Sequence, residues 1–164
     1  MCLSGDVLTA LSEGNLAAAS SAAGLAFTGH FATESAIWLW RYRLDQLTAD
    51  PQAAPWLVHA VVAEPENVVV GHAGFHGPPD HVGMVEIGYS VVPAHRRQGY
   101  ARAILSELLR RADAEPAVRI VRATISPDNA ASLATIAGHG FTEVGEQQDP
   151  RDGLEIIFER PANG

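Results

Sequence analysis

The sequence predicts a single layered α/β domain over residues 1–164, built around a mixed β-sheet. Three observations favour this fold class. Apolar residues keep the two-residue period of a strand in 82–92 and change to the period of a helix directly afterwards. A strand, a helix and another strand follow one another through 84–125, which is the order of a parallel crossover. The length suits one domain, and no repeat or low-complexity linker divides it.

The first third of the chain predicts one short strand and two helices. Residues 3–10 are interpreted as the strand, and residues 13–23 as a helix because of their alanine content. Thr33 then caps a second helix, which ends before Asp50-Pro51. Apolar residues recur in this helix at helical spacing, namely Ile37, Trp40, Leu44 and Leu47.

The middle of the chain predicts a meander of three strands. Residues 56–63 and 67–75 are separated by turn-forming residues and should pair as a hairpin. A loop follows at 77–80, and residues 82–92 form the third strand, which Pro93 ends.

The second half predicts a helix, a strand, a shorter helix and a final hairpin. The first helix has the strongest pattern, because six apolar residues share one face: Ala101, Ile104, Leu105, Leu108, Leu109 and Ala112. Residues 119–125 form the strand, after which Ser126 should cap the shorter helix with Pro127 at its first position. This helix ends near residue 137, and strands 141–147 and 154–160 form the hairpin.

Composition and charge exclude several classes of protein. The formal net charge is −8, whereas a nucleic-acid binder needs a basic patch, so no nucleic-acid partner is expected. Cys2 is the only cysteine, which excludes an internal disulfide, a four-cysteine zinc site and a redox cysteine pair. No basic residue precedes Arg41, and no apolar run is long enough to span a bilayer. We therefore expect a cytoplasmic protein with no membrane partner.

The segment between the third strand and the strongest helix predicts an anion site. A loop that opens a helix presents free backbone N–H groups and the positive end of the helix dipole. Arg96 and Arg97 add cationic donors, Gly99 allows close approach of a ligand, and Ala101 is small enough for tight packing. A pyrophosphate fits these properties. The alternative is that the arginines are merely solvated and the glycine only forms a turn.

This segment resembles the signature of the GNAT superfamily of N-acetyltransferases, Arg/Gln-x-x-Gly-x-Gly/Ala, which Arg96, Gly99 and Ala101 match. Further positions match in the expected order: Glu86-Ile87-Gly88-Tyr89, Pro93, Asn129, Ser132 and Gly140-Phe141. The resemblance covers about residues 84–141 and is closest to the branch that includes ribosomal-protein N-terminal acetyltransferases. It implies a GNAT-like mixed, mostly antiparallel central sheet flanked by helices, in which strands 84–92 and 119–125 splay apart.

The resemblance also implies that the chain binds acetyl-coenzyme A. Backbone groups of Tyr89, Val91 and Val92 would hold the pantetheine arm and polarise the thioester carbonyl. The pyrophosphate would be wrapped by six consecutive residues, Arg96, Arg97, Gln98, Gly99, Tyr100 and Ala101. Asn129 and Ser132 would contact the pantetheine arm from its other side.

Glu86 is the candidate general base for acetyl transfer. It alternates with Gly88 and Ser90 on one face of the strand, where an incoming amine would lose its proton. A solvated glutamate or a structural ion pair is the alternative. Many GNAT enzymes protonate the leaving thiolate with a tyrosine seven residues after the conserved asparagine, but that position here is Ile136, which suits a helix core.

No residue takes over the role of that tyrosine unambiguously. Ser126 is a candidate, and Ser132, Tyr89 or a water molecule are others.

His72, His76 and His81 raise a metal site as an alternative, yet structural sites usually need four well-placed ligands, so we expect no metal. Trp40 keeps the apolar spacing of its helix and is expected in the core. Trp38 and Tyr42 lie off that face; they either flank an acceptor or cover the surface, and we favour the surface position.

The expected activity is acetyl-coenzyme A-dependent N-acetyl transfer by direct attack in a ternary complex. The acceptor would be a primary amine, either a peptide N-terminus or a small molecule. The missing tyrosine leaves one alternative, a catalytically weak acyl-coenzyme A-binding module that senses or scaffolds. A homodimer is compatible with the resemblance, although no sequence feature demands one.

Overall fold

The computed structural model describes residues 1–162. This part of the chain contains five α-helices and six β-strands. In chain order they are α1 (Gly5–Ser12), α2 (Leu16–Ala23), α3 (Glu34–Ala49), β1 (His59–Ala63), β2 (Val68–Phe75), β3 (Met84–Val91), α4 (Tyr100–Ala114), β4 (Ile120–Ile125), α5 (Ala130–Ile136), β5 (Thr142–Asp149) and β6 (Gly153–Pro161). None of these helices is both long enough and apolar enough to cross a membrane.

The contacts group the chain into two compact units. The N-terminal unit contains Met1–Gly74 and Tyr89–Gln98, and the C-terminal unit contains Phe75–Gly88 and the chain from Gly99 onward. The boundary between them passes through β3, so each unit contains part of this strand. That residues 1–164 act as one domain stays a prediction.

The start of the chain corrects one prediction. Residues 3–10 were expected to form a strand, but α1 begins at Gly5. Ser4 caps this helix by accepting a hydrogen bond from the N–H of Val7 at 3.4 Å. Buried apolar side chains follow at helical spacing, namely Val7, Leu8 and Leu11, and this period does not suit a half-buried strand. The extended backbone before α1 forms a bridge between Cys2 and His59.

Helix α3 was predicted correctly and anchors the core of the N-terminal unit. The Thr33 hydroxyl accepts a hydrogen bond from the N–H of Ala36, as expected of a cap. Trp40 is fully buried, and its indole N–H donates to the Phe31 carbonyl at 2.8 Å. Trp38 and Tyr42 are exposed and stack on each other, which agrees with the expected surface position.

The strands of the N-terminal unit form the predicted hairpin and its extension. Strands β1 and β2 are antiparallel, with a register shift between Val61 and Val62. The N–H of Val92 donates to the Val70 carbonyl at 2.8 Å, so the end of the third strand lies beside β2.

The C-terminal unit contains the parallel crossover. Strands β3 and β4 pair in parallel, with Met84 opposite Ile120 and Glu86 opposite Arg122, as the order through 84–125 predicted. Strand β6 lies antiparallel between β4 and β5. Neighbouring strands follow the order β1-β2-β3-β4-β6-β5, which confirms the mixed, mostly antiparallel sheet.

Helix α4 has the buried face that its sequence predicts. Ile104, Leu105, Leu108, Leu109 and Ala112 are all buried. Helix α5 begins one turn later than expected, because Asn129 caps it by accepting from the N–H of Ser132 at 3.1 Å. The prediction of Ser126 as the cap was therefore wrong. Ile136 is buried, which confirms its assignment to the helix core.

Candidate functional site

The chain between β3 and α4 is a tightly bonded loop. Pro93–His95 forms a single 3-10 turn, and the guanidinium Nε of Arg96 donates to the Val91 carbonyl at 3.1 Å. Both backbone polar groups of Val92 are engaged, since its N–H donates to Val70 and its carbonyl accepts from His95, each at 2.8 Å. These bonds fix the path of the loop as it leaves the strand.

Two residues of this loop adopt left-handed backbone conformations. Arg97 has φ +62° and Gly99 has φ +89°. A positive φ is uncommon for a residue other than glycine, and strained residues of this kind concentrate at ligand sites. The sequence alone gave no sign of the Arg97 conformation, whereas a glycine at position 99 is what a left-handed residue requires.

Gly99 is the N-cap residue of α4, and within residues 1–162 no side chain caps this helix. The first N–H that bonds to the cap carbonyl is that of Ala103, at 3.1 Å. A Cβ added at Gly99 would meet no atom within 4 Å, so the space over the helix start is open. A 15-residue helix with such an opening can receive an anion.

Asn129 and Ser132 lie at the start of α5. The amide oxygen of Asn129 serves as the cap, and no hydrogen bond within the described residues uses its amide nitrogen. Asn129 is exposed, and Ser132 is half-buried. Ser126 belongs to the turn before α5, where its carbonyl accepts from the N–H of Asn129 at 2.9 Å.

Tyr89 has an unusual hydroxyl group. Among the described residues, it is the one side-chain polar atom that is fully buried without a hydrogen-bond partner. Leaving a buried hydroxyl unsatisfied costs about 1–3 kcal/mol. A ligand atom or a water molecule that bonds to it would relieve this cost, which makes Tyr89 a candidate contact of a ligand.

Glu86 lies in a small cluster on the half-buried face of β3. Its Oε1 accepts a hydrogen bond from the hydroxyl of Thr124 at 2.7 Å. The same oxygen lies 3.6 Å from Nδ1 of His76. No hydrogen bond within the described residues uses Oε2, so that oxygen can accept a proton from a substrate. The predicted alternation with Gly88 is observed, since neighbouring Val85 and Ile87 are buried.

Sequence reasoning did not find His76 and Thr124 as partners of Glu86. His76 was considered only as a metal ligand, and Thr124 only as a strand residue. A parallel register between β3 and β4 would have placed Thr124 near Glu86, but the sequence does not specify that register. Among the described residues, no group of three or more His, Cys, Asp or Glu side chains is arranged to hold a metal ion.

His72 packs against the core of the N-terminal unit. Its ring lies 5.0 Å from that of Trp40, centroid to centroid, in an edge-to-face arrangement. Burial lowers the pKa of His72 to about 4, and the nearby charges of His30 and Arg43 act in the same direction. His72 is therefore neutral at physiological pH and packs as an aromatic ring against buried Trp40.

We expect the stability of the protein to fall as the pH falls from about 6.5 to about 4. In this window an unfolded His72 binds a proton and the folded one does not, so protons favour the unfolded state. The loss at the acid end should reach about 3 kcal/mol, taking about 1.4 kcal/mol for each unit of pKa. Urea unfolding at several pH values measures it. The His72→Phe variant keeps an aromatic ring beside Trp40 and should lose less stability than the wild type, whereas parallel curves would contradict the assignment.

The sequence is similar to a protein-family model and to curated bacterial proteins. A family model described as an acetyltransferase (GNAT) domain matches residues 12–142. The uncharacterised N-acetyltransferase YjdG of Bacillus subtilis (strain 168) is 35% identical over 81 residues, which are 49% of this chain and 48% of that protein. The matched part thus spans about half the length of the curated relatives.

Solved structures show the same fold. One is a GNAT superfamily phosphinothricin acetyltransferase from Sinorhizobium meliloti in complex with acetyl-coenzyme A, with a TM-score of 0.66, 20% identity and coverage of 99% of this chain and 86% of that one. Another is the ribosomal-protein-S18-alanine N-acetyltransferase from Escherichia coli, with a TM-score of 0.57, 21% identity and coverage of 73% and 77%. At these identities the likeness concerns the fold alone.

Proposed function

The chain belongs to the GNAT acetyltransferase family, and on this premise we propose that it is an acetyl-coenzyme A-dependent N-acetyltransferase acting as one domain over residues 1–164. The proposed acceptor is a primary amine. Acetyl-coenzyme A supplies the acetyl group as an activated thioester. The solved relative in complex with acetyl-coenzyme A supports this choice of donor.

The observation that carries the proposal is the open start of α4. Gly99 leaves room over the first turn, and within the described chain no side chain occupies the cap. Arg97 lies two residues before this cap in the sequence, and its guanidinium adds a positive charge. We assign the pyrophosphate of the coenzyme to the segment of six residues Arg96, Arg97, Gln98, Gly99, Tyr100 and Ala101.

We assign the pantetheine arm to groups on β3 and α5. The unpartnered hydroxyl of Tyr89 and the amide nitrogen of Asn129 support this assignment, because both can still form a hydrogen bond. Val91 and Ser132 complete the proposed set. The backbone groups of Val92 are already bonded, so we assign the polarising role to the backbone of Tyr89 and Val91.

Glu86 is the proposed general base. Thr124 holds one carboxylate oxygen, which leaves the second oxygen for the ammonium proton of the acceptor. Removal of that proton makes the amine nucleophilic, so that it attacks the thioester directly in a ternary complex. A proton for the leaving thiolate would come from water, Ser126, Ser132 or Tyr89.

A peptide N-terminus is the proposed acceptor class, with a small-molecule amine as its competitor. The fold likeness to the S18-alanine N-acetyltransferase supports the first, and the likeness to the phosphinothricin acetyltransferase supports the second. Since a fold does not determine a substrate, only a panel of acceptors can decide between them.

A second candidate function is a catalytically weak acyl-coenzyme A-binding module. Buried Ile136 stands where many relatives of this family carry a tyrosine, and this specific departure favours reduced catalysis. The two functions agree on coenzyme binding and differ in turnover.

Calorimetric titration with acetyl-coenzyme A, followed by thiol release with peptides and small amines, tests the proposal. We expect binding and acceptor-dependent release from the wild type. In Arg97→Gly, which removes the guanidinium but adopts φ +62° readily, we expect coenzyme affinity to fall about tenfold, or 1.4 kcal/mol. Binding without release by any acceptor would favour the binding module, and absence of binding would refute both functions.

A further inference from the structure

The pairing of His76 with Glu86 begins in the backbone. His76 directly follows β2, and its N–H donates to the Glu86 carbonyl at 2.8 Å. The two residues are therefore neighbours across the strands. The side chains extend the contact, with Nδ1 of His76 at 3.6 Å from Oε1 of Glu86.

Gly88 provides the space that the His76 ring occupies. A Cβ built on Gly88 would lie 2.9 Å from Nε2 of His76 and 3.4 Å from Cδ2. The imidazole therefore lies over Gly88, two residues along β3 from Glu86 and on the same face of the strand. Any side chain at position 88 would displace the ring.

The two members of the pair differ in access to water. The His76 side chain is 45% exposed, whereas that of Glu86 is 19% exposed. A carboxyl group that takes a proton in each reaction cycle must lose it before the next. An imidazole nitrogen can both accept and donate a proton, so the more exposed His76 offers a route for that proton.

The other polar groups around Glu86 do not offer this route. Arg122 lies opposite Glu86 in the register of β3 and β4, and its guanidinium is bound to Glu159 at 2.6 Å. Thr124 donates to Glu86, but its hydroxyl does not ionise near neutral pH. Among the contacts of the Glu86 carboxylate in the described chain, His76 is the group that can both accept a proton and reach solvent.

We propose that His76 transfers protons between Glu86 and water during acetyl transfer, an inference that rests on the proposed function of Glu86. One N–H bond of the acceptor ammonium breaks, and Glu86 becomes a neutral carboxylic acid. Because Nδ1 of His76 lies beside the other carboxylate oxygen, the carboxyl group then rotates to bring its proton to that side. The proton moves to Nδ1, and His76 becomes an imidazolium. The imidazolium releases one proton to water or buffer, and both side chains return to their starting charges.

Chemical rescue of His76→Ala is the decisive experiment. In dilute buffer of low proton-carrying capacity, we expect kcat to fall about 10- to 100-fold, with the KM for acetyl-coenzyme A unchanged. Added imidazole should restore kcat, because the truncated side chain leaves space over Gly88. A histidine with only a structural role would not give a rate that depends on imidazole. His81→Ala removes an exposed histidine outside the cluster and should behave like the wild type.

Two further variants separate proton transfer from positioning. His76→Asn keeps a polar side chain beside Glu86 but cannot take up and release a proton, so we expect it to be as slow as His76→Ala. Gly88→Ala keeps the imidazole and displaces it, so its kcat should also fall while its thermal stability stays near that of the wild type.

Three results would overturn the inference: wild-type kcat in His76→Ala, a low kcat that imidazole does not raise, or wild-type kcat in His76→Asn. Wild-type protein that releases no thiol with any acceptor would instead refute the proposed function.

Discussion

Replacing Glu86 with Gln should lower kcat for acetyl transfer about 100- to 10,000-fold near neutral pH. Glutamine has the shape of glutamate and can still accept the hydrogen bond that Thr124 donates, so the site should keep its structure. It cannot take a proton from the acceptor. The measurement is acceptor-dependent thiol release, with the affinity for acetyl-coenzyme A determined in parallel and expected to stay unchanged.

The pH dependence of Glu86→Gln provides an internal check. At high pH a larger fraction of the acceptor amine is already neutral, so the difference from the wild type should shrink as the pH rises. Glu107→Gln is a matched control, because Glu107 also accepts hydrogen bonds, from Arg110, but lies exposed on α4. Full activity of Glu86→Gln at neutral pH would show that Glu86 is not the base.

Gly99→Trp should weaken the binding of acetyl-coenzyme A about 10- to 100-fold, equivalent to 1.4–2.7 kcal/mol. The indole would enter the open space over the first turn of α4, where we place the pyrophosphate. The left-handed φ of +89° adds backbone strain to any residue other than glycine. Calorimetric titration measures the affinity for acetyl-coenzyme A, and a melting curve measures the loss of stability that the strain causes.

Gly24→Trp separates the two effects. Gly24 ends α2 with φ +66° and also has no atom within 4 Å of an added Cβ, so the same substitution introduces a similar strain. We expect its melting temperature to fall like that of Gly99→Trp and its coenzyme affinity to stay at the wild-type value. Equal affinities in all three proteins would remove the pyrophosphate from this segment.

Much of the fold follows from local patterns in the sequence. Helix α4 was predictable because its apolar residues repeat at helical spacing, and α3 because Thr33 marks its start. The face of β3 that carries Glu86 followed from strand alternation. In each case the decisive interactions lie within a few residues of one another along the chain.

The failures have different physical causes. Ser126 and Asn129 are both good N-cap residues for α5, and only the packed structure selects Asn129. The segment 3–10 is too short to establish a period, and Leu11, which completes the helical spacing, lies outside it, so the helix at Gly5–Ser12 was missed. His76 meets Glu86 through strand pairing, and the register of two strands depends on the whole sheet rather than on either segment.

We expect the two outermost strands to resist pairing with another chain by different means. An unpaired strand edge is a template for another chain. Along β1 the first residues of the chain bond to Ala60, through both the amino group and the carbonyl of Met1, and so cover its backbone. Strand β5 instead carries exposed Glu143 and Glu146, and its pairing with β6 is interrupted between Glu143 and Gly145. Two copies meeting at β5 would bring like charges together, so a homodimer of this chain should use another surface.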